Sequence, residues 1–101
     1  MRVIRQSVDD QYIFEISLWN FQPTLLCFQE DLDGNRKYFD LKFTDPNQED
    51  LVYNMMTDSI EQAGGALNIS GIYPISRSLR RFLTKEIREG KIEVVAVKDE
   101  K

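Results

Sequence analysis

Hydrophobic and polar residues alternate along the first part of the chain. "RVIRQSV" (2–8) sets Arg2, Ile4, Gln6 and Val8 against Val3, Arg5 and Ser7. "YIFEISLW" (12–19) places Tyr12, Phe14, Ile16 and Leu18 on one side and Ile13, Glu15, Ser17 and Trp19 on the other. A period of two is the signature of a half-buried strand. Asp9-Asp10-Gln11 suits a tight connection between these runs. "TLLCFQE" (24–30) and "KYFDLKF" (37–43) continue the pattern, with Phe39, Leu41 and Phe43 opposite Asp40 and Lys42. The four runs predict an antiparallel meander.

The period then changes. In "DPNQEDLVYNMMTDSIEQAGG" (45–65), Leu51, Val52, Met55, Met56, Ile60 and Ala63 recur at helical spacing. Asp45 is the expected N-cap, Pro46 the first helical residue, and Gln48 stands where a capping box places Glu or Gln. Gly64-Gly65 ends the helix, because glycine adopts the left-handed cap conformation at little cost. "ALNISGIY" (66–73) predicts a strand, and "SRSLRRFLTKEIREG" (76–90) a second helix between Ser76 and Gly90. "IEVVAV" (92–97) predicts a last strand before the charged "KDEK". The order ββββαβαβ is that of an α+β domain, a mainly antiparallel sheet with two helices packed on one face.

The segment "YNMMTDSI" (53–60), with Gly64-Gly65 after it, resembles part of the small phycobilisome-linker domain, where a comparable helix precedes a Gly-Gly turn and a strand. The likeness covers about a quarter of the chain. The segment after Gly65 differs in length from that domain, which has no counterpart to the second helix, so the family is not assigned.

Composition narrows the chemistry. With 101 residues, 42% hydrophobic and 30% charged, the chain is one ordinary globular domain. A domain of this size is held by roughly 5–15 kcal/mol and needs no metal or crosslink. The single cysteine, Cys27, forms no internal disulfide and reads as a small buried hydrophobe, which fits a reducing, cytoplasmic setting. "MRVIRQSVDDQ" lacks the apolar stretch of a signal peptide, and the longest aliphatic run, "VVAV" (94–97), is far too short to span a membrane.

The chain has no histidine. This removes the commonest general base near neutral pH, and with one cysteine it excludes Cys/His zinc sites and Ser-His-Asp or Cys-His nucleophiles. No glycine-rich phosphate loop follows a strand. Paired carboxylates stay chemically open, but the acids sit at turns, helix starts and charged faces. The expectation is a protein that is not an enzyme, with no cofactor, no catalytic residue and no metal.

One stretch tests that expectation. In "FQEDLDGNRKYFDLKF" (28–43), Glu30, Asp31, Asp33 and Asp40 surround Gly34. Aligned as a calcium loop with Gly34 at the sixth position, Gln29 stands where the first carboxylate belongs and Asp40 replaces the bidentate Glu. The flanks alternate like strands, whereas the motif needs helices. A hairpin turn, type I′ or bulged, with Asp33-Gly34 supplying positive φ, is the alternative.

Charge is unevenly spread over the net −4. Residues 1–65 carry 5 basic and 12 acidic side chains, and residues 66–101 carry 8 and 5. On the second helix, at about 100° per residue from Arg77, the cations fall near 0° (Arg77), 300° (Arg80), 40° (Arg81), 80° (Lys85) and 20° (Arg88). Leu79, Phe82, Leu83 and Ile87 lie opposite, at roughly 140–280°. The cationic face is either solvated beside acidic neighbours or a docking surface for phosphate or carboxylate, which arginine forks bind in pairs. Glu86, near 180°, falls amid the apolar side; the commonest fate of such a residue is the rim of the core, with pairing to a basic residue across the core edge or an interface with another chain as alternatives. In "LWNFQP" (18–23), Trp19 shares a face with Glu15 and Ser17, and Phe21 lies in the connection. Both either cap one end of the core or anchor a protein interface.

These readings converge on a small non-enzymatic protein-binding or regulatory module, with Trp19, Phe21, Arg77, Arg80, Arg81, Lys85 and Arg88 as its binding residues. Open sheet edges admit a homodimer. The alternatives are a nucleic-acid or anion-binding module using the arginine-rich helix, or an acidic mimic of nucleic-acid charge. The net negative charge argues against nucleic acid as partner.

Overall fold

The alternation of "YIFEISLW" becomes β1 (Ile13–Trp19), and the next two apolar runs become β2 (Gln22–Glu30) and β3 (Arg36–Phe43). A computed structural model describes residues 12–97. The strand read over residues 2–8 lies outside them. After β3 come α1 (Pro46–Gln62), β4 (Gly71–Pro74), α2 (Arg77–Arg88) and β5 (Ile92–Ala96). The five strands form one antiparallel sheet in the order β4-β1-β2-β3-β5. The fold is α+β, and β1 to β3 form the meander that the alternation implied.

Period-two patterning sorts the sheet into two faces. Phe14, Ile16 and Leu18 of β1 and Cys27 of β2 are buried with Val52, Met56 and Ile60 of α1, Leu79 and Leu83 of α2 and Ile92 of β5. Both helices therefore cover the same face. Each large side chain withdrawn from water here stabilises the fold by about 1.5–3 kcal/mol. The stripe of α1 is narrower than its sequence suggests, because Leu51 and Ala63 remain exposed.

The helix ends follow their local chemistry. Asp45 caps α1 by accepting from the Asn47 amide at 3.0 Å, and Ser76 caps α2 by accepting from the Leu79 amide at 3.2 Å. The cap of α2 is also joined to α1 through the interior. Buried Ser59 of α1 accepts from the Ser76 amide at 3.0 Å and donates to the Met55 carbonyl at 2.8 Å. Gly64 takes φ +86 after α1. Its neighbour Gly65 is needed for another reason: a Cβ there would clash with the hydroxyl edge of the Tyr73 ring, at Cε1, Cζ and Oη.

The strand read over residues 66–73 is shorter and shifted, since β4 begins only at Gly71. Its partner β1 pairs with it no further than Leu18↔Gly71, before the chain turns at Asn20. The residues ahead of Gly71 fold instead into a turn closed by the Ile69 amide on the Ala66 carbonyl at 2.9 Å.

The sheet also forks. The β2–β3 ladder runs from Glu30↔Arg36 to Cys27↔Phe39 and stops. Beyond it, β2 from Gln22 to Leu26 pairs with β1, and β3 from Asp40 to Phe43 pairs with β5.

Candidate functional site

The β1–β2 connection is a two-residue hairpin. Trp19 pairs with Gln22, and the residues between them, Asn20 and Phe21, have φ of 55° and 66°. Two positive φ values in such a loop define a type I′ turn, whose twist matches that of the strands. Asn tolerates the left-handed region. Phe does not, and the conformation costs a residue with a Cβ about 1–2 kcal/mol.

Trp19 is 74% exposed and Phe21 61% exposed. The reading in which they cap the core is therefore overturned. Trp19 sits on the sheet face opposite the helices, and Phe21 is lifted off the end of the sheet by its turn. Ile72 of β4 pairs with Ser17, so it is the diagonal neighbour of Trp19 on that face, and it too is exposed. Trp19 and Ile72 are thus exposed neighbours on the outer face, and exposed Phe21 lies in the turn that follows Trp19.

The same outer face holds a residue pair that the sequence reading passed over. Phe28 is fully buried although it points away from the helices. The Arg36 guanidinium lies 4.1 Å over its ring, and the Tyr38 ring stands 5.3 Å away. Arg36 also donates to the Tyr38 hydroxyl at 3.4 Å, which raises its pKa, and it approaches Glu30 at 3.8 Å and Glu15 at 3.9 Å. The signal was the cross-strand register: Phe28 faces Ile13 on one side and Tyr38 on the other.

The five cations of α2, Arg77, Arg80, Arg81, Lys85 and Arg88, are all exposed. Four of them line a shallow groove of about 200 Å³ with Thr84. Lys85 is drawn toward Glu89 at 3.4 Å, and Lys91 meets Glu89 at the same distance. Burial pushes the Glu89 carboxyl up, but the hydrogen bonds and charges of the two lysines outweigh it and hold the pKa below its ordinary value. Among the described residues, no ion pair reaches Arg77, Arg80 or Arg81. The Thr84 hydroxyl is buried beside Arg80 and Arg81 without a hydrogen-bond partner.

Glu86 is not a rim residue. It is 8% exposed, and the Gln48 side-chain amide donates to its Oε1 at 2.8 Å. Its Oε2 lies 3.9 Å from Lys85 Nζ. Gln48 in turn accepts from the Thr44 amide at 3.2 Å, so its capping bond reaches one residue ahead of the N-cap. Thr44 Oγ1 donates to the Lys91 carbonyl at 2.9 Å. Glu86 does meet a partner across the core edge, but that partner is the neutral Gln48 amide and not the basic residue expected there, since the nearest cation, Lys85, lies on its own helix.

The acidic stretch 28–43 forms a hairpin between β2 and β3. The Gly34 amide donates to the Asp31 carbonyl, and the Asp31 amide to the Asn35 carbonyl, each at 3.0 Å. Only Gly34 has positive φ, at 87°, so this is the bulged three-residue turn rather than type I′. Asp31 Oδ1 accepts from the amides of Asn35 and Asp33 at 2.9 Å each, and these bonds, Asn35 foremost, hold its pKa below the usual value. The carboxylate is occupied by its own turn. Among the described residues, no three Cys, Asp or Glu side chains are grouped so as to hold a metal ion. Cys27 is buried, and burial pushes its thiol up to about 12. Among the described residues, no helix is long and apolar enough to cross a membrane.

The hairpin tip and the cationic helix are separate surfaces, because Trp19 points away from the sheet face on which α2 packs. No family model, curated protein or solved structure matches the chain.

Proposed function

We propose that this protein is a small non-enzymatic module that works by contacting another protein, with Trp19 and Phe21 as the centre of the contact. The observation that carries the reading is Phe21 itself: a large apolar side chain, mostly in solvent, at a left-handed position that glycine would fill without strain. Strained residues persist where the strain serves a role. Exposed aromatics are also the usual anchors of interfaces.

The test compares the full chain with Trp19→Ala and Phe21→Gly as baits in an extract of the native host. A species retained by the parent chain and lost from both variants, while their thermal unfolding stays cooperative, supports the reading. Equal retention by all three baits, or nothing retained by the parent, sinks it.

A second reading has its own support. Arg80 and Arg81, without ion pairs among the described residues and lining one groove with the unpartnered Thr84 hydroxyl, suit an anionic ligand, and Arg77 on the same helix has no ion pair among those residues either. Affinity for such a ligand would fall steeply with salt, with a log–log slope near −0.9 per phosphate neutralised on duplex DNA. Charge reversal at Arg81 and Arg88 would then abolish binding, and no binding at low salt would end this reading.

A further inference from the structure

The middle of the cationic face of α2 holds a residue that behaves unlike its surroundings. At about 100° per residue from Arg77, Thr84 falls near 340°, inside the arc of the cations and away from Leu79 and Leu83. Yet it is 6% exposed, while Arg80, Arg81, Lys85 and Arg88 are all exposed. Helix residues three and four positions apart are neighbours on the surface. Those of Thr84 are Arg80, Arg81 and Arg88, with Ile87 on the apolar side.

The Thr84 hydroxyl has no hydrogen-bond partner among the described residues. Serine and threonine inside a helix commonly return their proton to the preceding turn. In α1, Thr57 donates to the Asn54 carbonyl and Ser59 to the Met55 carbonyl, each at 2.8 Å. Thr84 makes no such bond. A buried polar group left unpaired destabilises a fold, and each instance calls for an explanation.

The groove above it supplies one. Arg80, Arg81, Thr84, Lys85 and Arg88 line about 200 Å³. Guanidinium and ammonium groups only donate, so four of these five side chains offer no acceptor, and the fifth is a hydroxyl with an unused proton. The complement of such a lining is a compact group rich in acceptors and negative charge. The volume is below the roughly 300–1,000 Å³ of sites that enclose a whole small molecule, so the groove holds a head group and little else. A carboxylate brings a single charge and two oxygens in one plane. A terminal phosphate brings about two charges and three acceptor oxygens spread in space, which suits donors set around one hydroxyl. Lys85 is already shared between Glu86 at 3.9 Å and Glu89 at 3.4 Å, whereas no ion pair among the described residues occupies Arg80 or Arg81.

We infer that this groove binds one terminal phosphate group, free or carried by a phosphorylated molecule, between the guanidiniums of Arg80 and Arg81 and over the Thr84 hydroxyl. A change of arginine rotamer opens the hydroxyl to a phosphate oxygen, which accepts its proton in a hydrogen bond. Binding thereby relieves the unpaired group that the empty groove retains. The inference rests on the anion-binding reading and names the anion. Duplex nucleic acid fits less well, since its phosphates come in rows and Glu89 stands beside Lys85 on one flank of the cations.

The probes are inorganic phosphate and N-acetyl-phosphoserine amide, each titrated calorimetrically into the full chain at low salt. Saturable binding of one phosphate per chain is expected. Thr84→Val keeps the shape of the side chain and removes the hydroxyl. It should raise the melting temperature of the unliganded protein and weaken phosphate binding about tenfold, the effect of one hydrogen bond to a charged group. Thr84→Ser should retain most of the affinity. The Arg80→Gln/Arg81→Gln variant, changed only at exposed positions, should lose binding while its unfolding stays cooperative. Tighter binding of the phosphoserine amide assigns the site to a phosphorylated molecule, and equal or weaker binding assigns it to free phosphate.

No saturable binding of either probe, or binding unchanged by Thr84→Val, overturns the inference. So does an unliganded Thr84→Val protein no more stable than the parent, because the hydroxyl would then already have a partner. A short DNA duplex separates this inference from the reading beneath it. Duplex binding that charge reversal at Arg81 and Arg88 abolishes and Thr84→Val leaves untouched, with neither probe bound, keeps the anion reading and removes the single-phosphate site. If neither the duplex nor the probes bind at low salt, both fall.

Discussion

Gln48 and Glu86 are 38 residues apart, and their buried side chains meet at 2.8 Å where the first turn of α1 packs against the last turns of α2. The bond joins the two helices at this junction. Gln48 is already committed to the Thr44 amide, and Thr44 to the loop before β5. Three separately folded ends are thereby fixed to each other by one chain of hydrogen bonds.

Replacing Glu86 by Ala strands the Gln48 amide in a buried place. The expected loss is about 1–3 kcal/mol of unfolding free energy, measured by urea denaturation. Glu86→Gln keeps an acceptor oxygen and should lose less. An alanine variant as stable as the parent would show that water replaces the bond at no cost.

Phe21→Gly relieves the left-handed strain at the hairpin tip. Thermal and urea unfolding should show a domain more stable by about 1 kcal/mol, even as the bait loses its partner. A destabilised Phe21→Gly would mean that the ring contributes packing that its exposure does not reveal.

Gly65→Ala forces the Tyr73 ring to move, and the ring is anchored by its hydroxyl on the Ile69 carbonyl at 2.6 Å. Overpacking of this kind typically costs about 1–3 kcal/mol. In the Tyr73→Leu background the same substitution should cost clearly less. Additive losses in this double-mutant cycle would refute the proposed clash.

Cys27 should resist a thiol reagent at neutral pH until the protein unfolds, because burial keeps its thiol protonated up to about 12. The linkage has a definite sign. Above the ordinary thiol value the unfolded chain ionises first and binds fewer protons, so this group's contribution to stability is complete below that value. It is lost progressively as pH rises toward 12. Cys27→Ala should flatten that part of the stability–pH curve. An unchanged curve, or rapid labelling of the native protein, would contradict the burial.

Local chemistry was legible from residue order. Asp45 and Ser76 cap the helices they precede, Gly64 and Gly34 take positive φ, and the alternation in 12–19 and 37–43 sorts inward from outward residues. Each depends on groups within a few residues, and the signal survives without knowledge of the rest of the chain. The stretch around Gly34 read as a hairpin for the same reason, since strands flank it on both sides.

Whatever depends on distant neighbours was settled by packing. The rim is the place residue order assigns to Glu86, because nothing near it in the chain offers a buried partner; Gln48 does so only once α1 lies across α2. The start of β4 moved to Gly71 because β1 runs out of pairing residues at Asn20. Phe21 concealed a type I′ turn because a bulky residue is disfavoured there, and only the closing pair Trp19↔Gln22 reveals it. The fork is the clearest case. The alternation marks 24–30 and 37–43 as strands, most of β2 and β3, but where they stay together is decided by the competing partners β1 and β5 on either side. Pairing is a property of two edges at once, and a linear pattern describes only one.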